Sequence, residues 1–237
     1  MKAMTNYKGY VLQRGVSPID GKPFVVIMTM KTTNRKTGDM IQVWILRDDV
    51  NPVEAIATGD DYSICGNCSH RKQPDGTRSC YVNVGQAPLS IWKAYKRGTY
   101  GKLSDLTADM LQGRKIRWGA YGDPSLVSPI LFATINEQAA GHTGYIHQWR
   151  EPWAQWCKGL FQASCDGMAD YLDASAHGWQ TFAVIPKGSK AYSGKLCPAT
   201  AENSQAQCAT CSLCDGAKTD IFVEAHGSGA KYVTASR

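Results

Sequence analysis

Between residues 116 and 185 the chain alternates short apolar runs with helix-patterned segments, and the links between them are only a few residues long. Ile116-Arg117-Trp118-Gly119-Ala120-Tyr121, Gly144-Tyr145-Ile146-His147-Gln148-Trp149, Leu160-Phe161-Gln162-Ala163-Ser164 and Thr181-Phe182-Ala183-Val184-Ile185 read as strands. Segments 129–138 and 168–176 read as helices. This order with short connections implies parallel strands and right-handed crossovers. The expected fold is α/β: a (βα) barrel or partial barrel, with an open doubly wound sheet as the other arrangement. A full eight-stranded barrel takes ~250 residues, which this chain lacks once its front and back are set aside.

The front, residues 1–58, is β-rich. Segments 24–30 and 41–46 carry many β-branched residues, and Asn34-Arg35-Lys36-Thr37-Gly38-Asp39 between them is turn-forming, so a hairpin or small meander is expected. Residues 59–186 form the βα-repeat core, entered through expected helices at 88–97 and 106–112. Residues 187–237 form a cysteine-rich, metal-binding segment with a last strand. The whole chain, 1–237, is expected to be one domain. With 43% hydrophobic residues it has material for a core, which excludes intrinsic disorder. No apolar run approaches the ~20 residues of a membrane span. The start, Met1-Lys2-Ala3-Met4-Thr5-Asn6, lacks the apolar region of an export signal, so a cytoplasmic location without membrane contact is expected.

The nine cysteines carry the strongest chemical signal. In a reducing compartment such residues are metal ligands or catalytic groups more often than disulfides. Cys197, Cys208, Cys211 and Cys214 contain two successive C-x-x-C steps. Four soft sulfurs suit zinc, or an iron–sulfur cluster as the alternative, and a closed zinc site of this kind is structural. Cys65, Cys68 and Cys80 form a second group with His70 close by. It reads as an incomplete zinc knuckle or as a three-cysteine site that leaves one position open, which is what a catalytic iron–sulfur cluster needs. The spacing is not the C-x-x-x-C-x-x-C of radical S-adenosylmethionine enzymes.

In parallel α/β folds ligands sit at the carboxyl ends of strands. Asp123 in Gly122-Asp123-Pro124-Ser125, His147 with Gln148, and Ser164-Cys165-Asp166-Gly167 all fall at expected strand ends. They share one rim if the strands are parallel. Asp123 is either a nucleophile, general base or ribose-binding group, or the cap of the next helix, and Asp166 faces the same choice. His147 and Gln148, near Tyr145 and Trp149, suit a planar hydrogen-bonding ligand such as a nucleobase, or are satisfied core residues. His142, His177 and His226 lie in Gly-rich loops and read as surface residues, His226 being the one to test. The net charge of +6 favours a polyanionic partner. Lys93, Lys96, Arg97, Lys102, Arg114 and Lys115 interleave with aromatic residues between Trp92 and Trp118, a pattern that suits phosphates and stacked bases or a solvated basic face.

Four blocks together carry a resemblance: Cys65-Gly66-Asn67-Cys68 with Cys80-Tyr81-Val82-Asn83-Val84-Gly85-Gln86-Ala87-Pro88; Gly119-Ala120-Tyr121-Gly122-Asp123-Pro124; His142-Thr143-Gly144-Tyr145-Ile146-His147-Gln148-Trp149; and Cys208-Ala209-Thr210-Cys211-Ser212-Leu213-Cys214-Asp215-Gly216. Over about residues 60–230 the chain resembles bacteriophage 7-deazaguanine DNA transglycosylases, distant relatives of the tRNA-guanine transglycosylases. The resemblance implies a DNA partner, replacement of guanine by a 7-deazaguanine base, and a location in the host cytoplasm. It implies an Asp-linked glycosyl intermediate formed on a flipped nucleotide. Asp123 and Asp166 are then nucleophile and acid/base in unresolved order, and His147, Gln148, Tyr121 and Ser164 contact the base. The tRNA-modifying relatives bind zinc through C-x-C-x2-C…H; here four sulfurs stand with a different spacing, and the front cysteines have no counterpart. Two other readings stand beside this one: an iron–sulfur, radical S-adenosylmethionine-like enzyme, and a zinc-stapled nucleic-acid-binding protein without catalysis.

Overall fold

The computed structural model describes residues 7–189, 192–201, 204–227 and 229–233. The front is a meander of β1 (Gly9–Val16), β2 (Pro23–Thr29) and β3 (Ile41–Arg47), antiparallel in sequence order. β2 and β3 are buried on both faces, which explains their near-continuous apolar sequence. Helix α1 (Pro52–Thr58) follows. Asn51 caps it by accepting from the Val53 and Glu54 amides, and Gly59 ends it in the left-handed conformation. Then come α2 (Tyr62–Cys65), a long loop carrying Cys68 and Cys80, and α3 (Ala87–Lys96).

Next are β4 (Gly101–Lys102), β5 (Lys115–Tyr121), α4 (Pro129–Glu137), β6 (Gly141–Thr143), β7 (Tyr145–Ile146), β8 (Gln162–Cys165), α5 (Met168–Ala176) and β9 (Thr181–Ile185). The back adds β10 (Lys195–Leu196), α6 (Cys208–Cys211) and β11 (Ile221–Glu224). Two sheets result, in orders β4-β1-β2-β3-β5-β6 and β10-β11-β9-β8-β7. In the first, β2 alone runs against the rest; the second is parallel throughout. The sheets therefore confirm an α/β chain with parallel strands. They do not close into a barrel among the described residues.

Of the expected strand 144–149 only Tyr145–Ile146 forms, as β7, and a separate strand, β6, precedes it. β6 pairs with β5 in the first sheet and β7 with β8 in the second, and Gly144 is the step between them. The Gly144 amide donates to the Cys214 carbonyl, and its own carbonyl accepts from the Gln162 amide. A Cβ there would stand 2.6 Å from the Phe161 ring, so the step needs a residue with no side chain. The expected helix at 106–112 is instead a pair of 3₁₀ turns, Leu103–Asp105 and Ala108–Met110. It is too short and too exposed to bury the apolar face that stabilises an α-helix.

The core runs through both sheets. Trp118 and Phe161 are buried and pack on Phe132 of α4, with ring centroids 5.2 and 5.0 Å away. Gly119 and Gly122 bring the chain past β5 with positive φ. At Gly122 (φ 79°) a Cβ would lie 2.4 Å from the Ile45 carbonyl oxygen, which is backbone and cannot yield. Gly122→Ala is expected to lower stability by about 2–4 kcal/mol, read as a lower urea midpoint. An unchanged midpoint would show that the turn can rearrange.

No helix among the described residues is long and apolar enough to cross a membrane.

Candidate functional site

Residues from β5, β7, β9 and β11 and from the loops around them line one cavity of about 420 Å³. Cys65, Cys68 and Cys80 line it, and so do Cys197, Cys208, Cys211 and Cys214. Two cysteine groups separated by more than a hundred residues thus open onto one space. Cys157 and Cys165, the two outside these groups, are buried, and burial pushes both thiols up.

The first group sits where β3, β5, β7 and β8 end. Burial pushes the Cys65 thiol well up, and Cys68 and Cys80 are near enough to push it further. Cys80 is also raised by burial, while Arg78 pulls it down. Gly66, with φ 55°, packs against Gln148, leaving no room for a side chain. In the second group burial raises Cys208 and Cys214, and Cys214 feels Cys197, Cys208 and Cys211 together. The Cys208 and Ala209 amides donate to the Lys36 and Thr37 carbonyls, which moors this segment on the β2–β3 loop.

Asp123, Gln148 and Asp166 do meet, as parallel strands require, but in roles the sequence left open. Asp123 is buried and both its oxygens are engaged. One accepts from the Ser125 amide and hydroxyl at 3.0 and 2.6 Å, the other from the His147 and Gln148 amides at 2.7 and 3.3 Å. It caps the turn Pro124–Leu126, clamps two loops together and lines the cavity, and burial raises its carboxyl above the ordinary carboxylate range. Gln148 lies alongside Asp123. Its side-chain amide donates to the Cys65 carbonyl at 3.2 Å, and it does not line the cavity.

Asp166 keeps chemical freedom. One oxygen accepts from the Ser69 amide at 3.2 Å; the other lies 3.4 Å from His147 Nε2 and 3.9 Å from His70 Nε2. Burial alone raises an acid, but His147 and His70 outweigh it and hold Asp166 at about 2. The His147 contact is ion-pair distance without hydrogen-bond alignment, since neither atom has a hydrogen-bond partner. Burial works against charging His147, yet Cys68 and Asp166 carry it well above the ordinary imidazole range. Ser164 and Tyr121 line the cavity, and the buried Tyr121 hydroxyl has no partner.

The basic stretch does not form one patch. Arg114 donates to the Met30 and Asp39 carbonyls, Lys115 to the Ser212 hydroxyl, and Lys96 pairs with Asp48 at 3.4 Å. Lys93, Arg97 and Lys102 are exposed. His142 is a structural residue, paired with Asn136 and the Leu160 carbonyl, and not the surface histidine its loop suggested. His177 is at the surface; His226 lines the cavity beside Tyr81.

Arg117, which stands in the basic stretch between Trp92 and Trp118, turns into the cavity with Tyr81 and Tyr145. The signal was the alternation in β5: Ile116 and Trp118 are buried in the core, so Arg117 between them faces the other way.

Fold and site together define a mixed α/β chain with a thiol-lined cavity. No protein-family model, curated protein or solved structure matches the chain.

Proposed function

We propose that the chain is a metal–thiolate enzyme acting on a small molecule in this cavity. Cys65, Cys68 and Cys80 would hold an iron–sulfur cluster with one open position, and Cys197, Cys208, Cys211 and Cys214 a closed site, zinc or a second cluster. One observation carries the reading: all seven cysteines of the two groups line the same cavity. The donor set fits, being soft sulfur in both places. Among the described residues no group of three or more His, Cys, Asp or Glu side chains is set closely enough to grip an ion. Binding therefore requires these thiols to turn inward and lose their protons, which burial otherwise holds in place.

A three-thiolate cluster supplies electron transfer or activation of a group at its open position. The protein supplies the rest. His147, held between Cys68 and Asp166, is positioned to give or take a proton. Asp123 fixes the loop that carries His147 through the backbone. The apolar walls from β9 and β11 exclude water.

The test is anaerobic purification with iron and zinc analysis and an absorption spectrum. Iron with absorption near ~400 nm is expected, and Cys68→Ser with Cys80→Ser should remove it while the second site keeps its metal. Protein free of both metals under these conditions would overturn the proposal.

A second reading has its own support. Asp166 is an ionised carboxylate at a strand end with a charged histidine beside it, the pair that guanine exchange in DNA needs as nucleophile and acid/base. Lys93, Arg97 and Lys102 would then approach the phosphates of the DNA, zinc would staple the back, and a 7-deazaguanine base would be the incoming substrate. Incubation of DNA with labelled guanine decides it. Incorporation that Asp166→Asn abolishes supports the reading; no incorporation by the wild type rejects it.

A further inference from the structure

Arg117 lies inside the cavity and its side-chain partners are phenols. Its Nη2 donates to the hydroxyls of Tyr81 and Tyr145, the latter at 3.0 Å, and the two hydroxyls are 2.9 Å apart. Among the described residues no carboxylate pairs with it. A guanidinium keeps its charge at any working pH, and phenols solvate that charge without neutralising it. Taking it from water without a counter-charge is costly. Donors are also in excess. Both phenol oxygens accept from Arg117 and one phenol donates to the other, so one O–H and the rest of the guanidinium fork remain to bind something else. The rings are held for this: Tyr145 stacks on Phe182 with centroids 4.0 Å apart and planes 5° apart.

We propose that Arg117, Tyr81 and Tyr145 form the binding point for an oxyanion, the carboxylate or phosphate group of a small molecule whose body lies along the apolar wall of Val184, Ile221 and Val223. A guanidinium fork with a phenol donor beside it matches two oxygens of either group. The inference names the substrate class of the proposed metal–thiolate enzyme. It rests on that reading for the reaction, not for the binding. The competing account is that Arg117 only offsets the charge of Cys208 and Cys214, which lie near it.

The test begins with the wild-type protein, its metal content measured. It is titrated with inorganic phosphate and, separately, with benzoate, at constant ionic strength with chloride as control. Modification of Arg117 by phenylglyoxal is followed by peptide mass spectrometry with and without each anion. Saturable binding of one or both, with slowed modification of Arg117, is expected; phosphate alone or benzoate alone identifies the group. Arg117→Gln should weaken that binding by at least about tenfold, with Arg117→Lys and Tyr145→Phe in between and metal content unchanged. Failure of both anions to bind or protect, or equal binding by Arg117→Gln, overturns the proposal. So does a lower metal content in Arg117→Gln without anion protection, which assigns the charge to the thiols. Protein that carries no metal yet binds the anion at Arg117 overturns the metal reading and leaves this one standing.

Discussion

Asp123→Ala is expected to cost about 3–5 kcal/mol of folding stability, because it strips the acceptor from buried donors that nothing else can reach. The Ser125 amide and hydroxyl and the His147 and Gln148 amides all lose their partner at once. Asp123→Asn keeps the shape but turns an NH₂ toward one pair of these donors, so about half that loss is expected. The damage is local before it is global. The loop of His147 and Gln148 leans on Asp123 from one side, and the Asp123 amide donates to the Ile64 carbonyl beside Cys65 on the other. The measurement is the urea midpoint of each variant, with the reactivity of Cys65 and Cys68 toward a thiol reagent below the transition. A midpoint equal to wild type would show that the carboxylate is not structural.

Cys214→Ser, or chelation of the purified protein, is expected to release the back of the chain. Its own apolar core is small: Phe182, Ile221 and Val223, with Leu213 and two of the cysteines packed against them. Strand β10 is only two residues long and exposed. A structural thiolate site contributes on the order of 10 kcal/mol to the fold it ties down, far more than those three side chains supply. Tryptic cleavage at the exposed Lys195 and Lys218 should accelerate at least about tenfold when the metal is lost, through local opening. The front meander, packed into the main core that runs through both sheets, should keep its hydrogen-exchange protection. Wild-type metal content and an unaltered digestion pattern in Cys214→Ser would mean that the sulfurs are bystanders.

Several elements were legible because they depend on neighbours in sequence. Helix α5 and strand β9 appear at the expected residues, 168–176 and 181–185. α3 is displaced by one residue at each end and α4 ends one residue early, since proline at the first turn marks a helix start by local sterics. Strand β1, Gly9–Val16, lies in the β-rich front but had no boundaries legible in sequence: Tyr10-Val11-Leu12 runs apolar without alternation and the strand includes two glycines, which weakens the signal. The break at Gly144 was invisible because its cause is Phe161, a residue distant in sequence that packs against it just ahead of β8.

The candidate site divides in the same way. Residue types and spacing named all seven clustered cysteines, and the alternation of strands and helices placed Asp123, His147 and Asp166 on one rim. Those are local properties, set by propensity, periodicity and the chemistry of each side chain. Which carboxylate faces the two imidazoles, that both cysteine groups face one cavity, and that among the described residues no carboxylate pairs with Arg117 were decided by the tertiary structure. Burial and hydrogen-bond partnership depend on atoms brought together from distant parts of the chain, and a linear reading holds no record of which donors arrive first at a given acceptor.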